Sequence, residues 1–214
     1  MENLKSLSTR RQALSLFASA AVLAAGWPGR SHAATAAEPP MGDDGLYKQP
    51  WFFESFLELP EDLQQTSRDG KRLAILWEQR GCPYCHALHK NNFSDAAVTD
   101  YIRANFNVIQ LNLWGSREVT DFDGTAMEER ALARRWRVNF TPTIQFFPAS
   151  LDGAEGKTGA ELEVTRMPGY FKPFHFFAMF EYVKTEAYAL MNFQRFLQEK
   201  FADLKARGID PNVW

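Results

Sequence analysis

The stretch GCPYCHALH, residues 81–89, fits two unrelated chemistries. As Cys-x-x-Cys-His it would attach a c-type haem, with Cys82 and Cys85 as thioether anchors and His86 as an axial ligand. As Cys-Pro-x-Cys it is a dithiol that opens and closes a disulfide. The sequence on either side decides between them.

Immediately upstream, RLAILWEQ (72–79) is a continuous apolar run of strand length that ends at Gly81, as expected for a buried strand whose end opens into a loop. Downstream, Ala87, Leu88, Phe93, Ala97, Val98 and Ile102 recur at spacings near three and four, which predicts a helix. Cys82 therefore falls at a helix N-terminus, where unpaired N–H groups and the helix dipole stabilise a thiolate. Cys85, one turn on and facing inward, is placed to resolve a mixed disulfide formed at Cys82. Pro83 suits the first helical turn, where its missing N–H would be unpaired in any case.

The haem reading needs a mainly helical chain and a distal ligand, for which His89, His175 or Met167 would nominally serve. The strand-to-helix setting favours the dithiol instead. Structural zinc normally takes four ligands from paired motifs, and there are no further cysteines, so neither a metal nor another cofactor is expected.

Further outward, PEDLQQTSRDG (60–70) reads as a short helix after the aromatic run WFFESFLEL (51–59), and NFNVIQLNLW (105–114) as a second strand. A polar, turn-rich insertion near 115–126 leads into a helix over AMEERALARRWRV, with Met127, Leu132 and Trp136 as core positions. Its Arg130, Arg134, Arg135 and Arg137 read as a solvated face. A third strand, TPTIQFF (141–147), has Pro142 near its start; Leu162–Arg166 reads as a strand paired with it, and MPGY (167–170) as a turn. Phe176, Phe180, Val183, Ala187 and Leu190 form a helical stripe that Phe193, Phe196, Leu197, Phe201 and Leu204 continue after a bend.

The 214 residues, 45% apolar and 23% charged, are enough for one globular domain with a real core. Residues 1–33 read as an export signal: STRRQALSLFASAAVLAAG has a basic start and an apolar run too short to span a bilayer, and SHA precedes a small-residue cleavage site. The adjacent Arg10 and Arg11 resemble a twin-arginine signal, although Ala13 stands where that pattern often has Phe. ATAAEPPMGDDG reads as a flexible linker (34–46) ahead of a domain over 47–207. Without the signal the chain carries 20 basic and 25 acidic residues, which argues against nucleic acid as a partner. Both cysteines lie within one motif, so neither ties distant segments together, and their role is local chemistry.

EQRGCPYCHALH, LNLWGSREVTDFDG, ALARRWRVNFTPTIQFF and MPGYFKPFHFFAMFEYV together resemble the periplasmic thioredoxin-like proteins of the SoxW type, over residues 48–190. The resemblance implies an α/β thioredoxin fold, with a central mixed sheet flanked by helices, an N-terminal extension and a long C-terminal helical segment. It also implies thiol-disulfide exchange with protein disulfides in the periplasm, linked to sulfur oxidation and supplied with electrons by a membrane donor of the CcdA or DsbD type. Cys82 would attack and Cys85 resolve; Pro142 would be the cis-proline beside the dithiol, with the backbone of Thr141 pairing with the substrate chain. Glu78, four residues before Cys82, is the candidate buried acid for proton transfer; an exposed strand end is its alternative. His86 could tune the thiolates, and Tyr84 would line the substrate contact. The Pro83-Tyr84 dipeptide resembles that of glutaredoxins and leaves the direction of electron flow open between reductase and a DsbC- or DsbA-like isomerase or oxidase. A non-catalytic thioredoxin-fold binding protein is the remaining alternative.

Overall fold

The computed structural model describes residues 38–210. The export-signal reading of residues 1–33 lies outside them. Helix α1 (Leu59–Arg68) has Pro60 in its first turn and ends before Gly70, whose φ of +66° suits a helix exit. Strand β1 (Arg72–Glu78) follows, then the short helix α2 (Pro83–Ala87), a π-helical turn over Leu88–Asn92, α3 (Ala96–Asn105) and β2 (Phe106–Asn112). A hairpin of β3 (Glu118–Thr120) and β4 (Ala126–Glu128) leads into α4 (Glu129–Arg135). Then come β5 (Thr143–Phe146), a single turn α5 (Gly159–Leu162), β6 (Thr165–Pro168), α6 (Pro173–Lys184) and α7 (Phe193–Ala206). Among the described residues no helix is long and apolar enough to cross a membrane.

The main sheet has the order β2-β1-β5-β6, with β1 parallel to β2 and antiparallel to β5, and β5 antiparallel to β6. Every residue of β1 is buried, because helices cover both sides of this central strand. Alternation divides its side chains. Leu73, Ile75 and Trp77 pack with α1, α4 and the hairpin, whereas Ala74 and Leu76 pack with Leu88, α3 and α6. Glu78 continues the second set, which places it on the sheet face beneath the dithiol helix.

Several expectations need correction. The segment after the cysteines is not one helix: the π turn widens it, and Asp95 starts α3 afresh by accepting from the N–H groups of Ala97 and Val98 (2.9 and 3.1 Å). The strand expected at Leu162–Arg166 begins three residues later. A capping box between Thr158 and Glu161 turns the preceding residues into α5.

The polar insertion is also more than a turn. It forms the β3–β4 hairpin, buries Val119 and Phe122, and is anchored by two buried carboxylates. Asp121 accepts from Trp136 Nε1 (3.0 Å) and Gly159 N (2.8 Å) and pairs with Arg135 (2.9 Å). Glu129 accepts from Asn112 N (2.8 Å) and pairs with Arg117 (2.6 Å). Arg135 is thus not part of a purely solvated face.

Residues 38–46, expected within a flexible linker, are built into the fold. Leu46 is buried, Met41 bridges Tyr47, and Phe53 N donates to Val108 O at the β2 edge (2.8 Å). At the other end the predicted bend separates α6 from α7. Phe193 and Phe196 pack against Tyr182, and Lys200 pairs with Glu181 (2.5 Å), while Leu190 of the expected stripe is exposed.

Candidate functional site

Gly81, with φ +71°, turns the chain from β1 into α2, a conformation that a side chain would strain. Cys82 is then the N-cap of α2, and its Sγ accepts from Cys85 N at 3.1 Å. A thiolate at this sulfur would receive the same bond, now strengthened by charge, along with the field of the helix N-terminus. Cys82 and Cys85 form a disulfide with Cα atoms 5.2 Å apart. Both are nearly buried, whereas Pro83 and Tyr84 between them are exposed.

Across from Cys82 lies the start of β5. The Thr141–Pro142 bond is cis, as expected from the family resemblance. Thr141 Oγ1 lies 3.4 Å from Cys82 Sγ and can donate to it, and the Thr141 carbonyl oxygen is 3.5 Å away, where a reduced thiol could donate. Thr141 precedes both strand ladders, whose register starts at Thr143. Tyr84, Phe140, Thr141, Pro168, Gly169 and Tyr170 line a shallow, mainly apolar recess of about 450 Å³ beside the disulfide. Tyr84 and Phe140 are both more than 60% exposed and stand together at this recess. A larger recess of about 780 Å³ near Trp51 and Phe106 contains no dithiol residue and sits at the β2 edge.

Glu78 is wholly buried, which removes the exposed-strand-end alternative. Its carboxylate accepts from His89 Nε2 (3.1 and 3.2 Å) and, through a short bond, from Gln110 Nε2. His86 does not join this group. It pairs with Glu38 at the surface, where His86, aided by Lys90, holds the Glu38 carboxyl below its ordinary range. The Tyr47 ring stands 5.2 Å from that of His86 and 5.6 Å from that of His89.

Sequence reasoning considered His89 only as a nominal haem ligand and missed Gln110 and Gln49 altogether. A signal for His89 was present: it follows Cys85 by four residues, one turn along the buried side of the same helical segment. Gln110, a polar residue between Ile109 and Leu111 in the middle of β2, was a second.

A strand carrying a buried acid, a dithiol capping the next helix, and a cis-proline opposite is an arrangement able to exchange disulfides without a cofactor. Comparison with solved structures finds a thioredoxin-fold protein from Helicobacter pylori, 25% identical, covering 63% of this chain and 82% of that one with a TM-score of 0.46. A thioredoxin from Thermus thermophilus is also 25% identical, covering 59% of this chain and 83% of that one, with a TM-score of 0.45. The oxidised C-terminal domain of DsbD from Neisseria meningitidis is 14% identical, covering 62% and 98%, with a TM-score of 0.39. Comparison with curated proteins gives no match. The family model described as a thioredoxin-like domain matches residues 59–184, well over half of the chain, and its span runs from α1 to the end of α6. The chain belongs to the thioredoxin-like domain family.

Proposed function

We propose that the protein is a thiol-disulfide oxidoreductase that reduces disulfides in protein partners through Cys82 and Cys85. The observation that carries this reading is the placement of Cys82 Sγ: it caps α2, accepts from Cys85 N, and faces Thr141 across the cis-proline turn. In the reduced protein the Cys82 thiolate attacks a partner disulfide. One partner sulfur leaves as a thiolate, and a Cys82–partner disulfide remains. Cys85 then gives up its proton, attacks Cys82 Sγ and closes the Cys82–Cys85 disulfide, and the second partner sulfur leaves with the electron pair. Two electrons pass from the dithiol to the partner, and a dithiol donor must return them.

Glu78 is the acceptor for the Cys85 proton, since it is buried and bonded to His89 on the π turn that continues α2. Thr141 supplies the backbone with which an extended substrate segment pairs, while Tyr84 and Phe140 supply apolar contact. The finer assignment follows the SoxW resemblance: periplasmic location after export, a link to sulfur oxidation, and re-reduction by a membrane donor of the CcdA or DsbD type. The export-signal pattern at residues 1–33 supports the location. The Pro83-Tyr84 dipeptide keeps an isomerase or oxidase as the second reading, because glutaredoxins, which it resembles, sit near about −200 to −230 mV and thioredoxin near about −270 mV.

The test is trapping. Cys85→Ser should accumulate mixed disulfides with protein partners through Cys82, and Cys82→Ser should abolish both trapping and turnover. A Cys82→Ser chain that retains full function would overturn the redox reading in favour of a binding protein.

A further inference from the structure

Beneath the dithiol helix, the side chains around Glu78 are oriented by a segment that precedes the family-matched region. Lys48 Nζ, which can only donate, lies 2.7 Å from Gln110 Oε1, so the Gln110 amide must turn its NH₂ the other way. That NH₂ reaches Glu78 and the Tyr47 carbonyl oxygen (2.7 Å). Gln49 Nε2 lies 3.1 Å from His89 Nδ1, a pairing in which Nδ1 accepts. With Nδ1 accepting, the Nε2–H points at Glu78. Both groups approaching the carboxylate donate; Lys48 and the Tyr47 carbonyl fix the direction of the Gln110 amide, and Gln49 holds the far side of the His89 ring.

We propose that Gln49, His89 and Gln110 are positioning residues that keep Glu78 open as acceptor of the Cys85 proton, so that the segment Tyr47–Gln49 is part of the reaction machinery. The inference rests on the reading that Glu78 serves Cys85 in the resolving step. There the Cys85 S–H proton passes to the Glu78 carboxylate, the Cys85–Cys82 bond forms, and the Cys82–partner bond breaks with its electron pair on the partner sulfur. Three features support it. Cys85, His89 and Glu78 are each at most 2% exposed, and His89, bonded to Glu78, stands on the π turn that continues the dithiol helix. A π turn is an uncommon device that concentrates at functional sites, and here it carries His89. Three buried polar side chains in this layer, at Glu78, His89 and Gln110, occupy space that packing alone would fill with apolar groups.

The charged and titratable groups facing this cluster are Lys48, itself paired with Asp44 (2.7 Å), Arg117, whose Nη2 donates to Gln110 O (2.9 Å), Tyr47 over His89, and Cys85 on α2. A Gln49→Leu change leaves all of them in place. It removes only the donor to His89 Nδ1, which leaves that buried lone pair without a partner and Glu78 alone to hold the ring in place.

The experiment follows the reduced full chain against an aromatic disulfide whose thiolate absorbs visibly, by stopped flow from pH 6 to 9. The first release of thiolate reports attack by Cys82, and the second reports resolution by Cys85. Gln49→Leu should leave the first phase unchanged and slow the second about tenfold near pH 7, with the loss shrinking as pH rises and solvent hydroxide takes over. Glu78→Gln should slow the second phase more, by about 10²-fold. If Glu78→Gln has its effect and Gln49→Leu has none, the positioning inference fails while the role of Glu78 stands. If neither variant alters the second phase, the role of Glu78 itself fails. Imidazole nitrogen shifts of the unmodified protein supply a check that needs no variant: a proton on His89 Nε2 is required, and a proton on Nδ1 would overturn the inference.

Discussion

Replacing Asp121 by Ala should unfold this protein more readily than almost any change at its surface. Asp121 has no exposed area, and its two oxygens hold four donors: Phe122 N (2.7 Å), Gly159 N (2.8 Å), Trp136 Nε1 (3.0 Å) and the Arg135 guanidinium (2.9 Å). Arg135 keeps a second partner in Asp123 (2.5 Å), so its charge is not stranded. Trp136 Nε1 and Gly159 N are both buried and would be left without an acceptor, at about 1–3 kcal/mol each. Adding the lost charge pairing, the expected destabilisation is about 3–5 kcal/mol. For a domain of this size that corresponds to a fall in Tm of about 6–20 °C. Urea unfolding followed by tryptophan fluorescence measures it, with Asp152→Ala, a change at an exposed loop residue, as a control expected within about 0.5 kcal/mol of the unaltered protein. A loss below about 1 kcal/mol at unchanged m-value would refute the idea that the hairpin is tied to the core through this carboxylate.

Burial, opposed by the Ser55 hydroxyl and reinforced by Glu58 and Glu61, pushes the Asp62 carboxyl up to about 6. Because the folded value lies above the unfolded one, the stability that Asp62 contributes is fully present below about pH 4 and lost as pH rises through 6. Asp62→Asn should therefore raise stability at pH 7 by about 1–3 kcal/mol and flatten the pH profile between 4 and 7, and an unchanged profile in denaturant titrations would count against it. Phe140→Ser removes an exposed ring, so stability should stay within about 0.5 kcal/mol. The same change should raise KM for a protein disulfide about tenfold at unchanged kcat, whereas an unaltered KM would remove Phe140 from the substrate surface.

The elements around the dithiol were legible because each has one dominant cause. The apolar run 72–78 admits only a doubly covered strand, Pro60 and Gly70 bracket α1, and the periodic Phe176, Phe180 and Val183 give α6. What misled was competition between a weak period and local chemistry. The Asp95 cap and the π turn interrupt an apolar pattern that runs on past them, and the Thr158–Glu161 box draws Leu162, the first residue of the expected strand, into a helical turn. The insertion looked like a solvated loop because its charges are visible in sequence and their burial against Trp136, Gly159 and Asn112 is not. Glu78 could be named from its spacing to Cys82, but only the pairing of β1 with β2 shows that Gln110 lies on the same face and that the acid is enclosed. Gln49 had no local signal at all, since its partner is forty positions away.

The central claim is that Cys82 and Cys85 form a reversible dithiol poised to reduce protein partners. The direct measurement is the equilibrium of the full chain with defined ratios of reduced and oxidised dithiothreitol and glutathione, quenched by a thiol-trapping reagent and read by mass. The account predicts a two-electron transition confined to the Cys82–Cys85 pair, at a potential between about −270 and −230 mV, more reducing than glutaredoxins. A midpoint near about −120 mV, the range of a strong oxidant, would contradict the reductase reading, and a pair that shows no reversible transition would contradict the dithiol chemistry altogether.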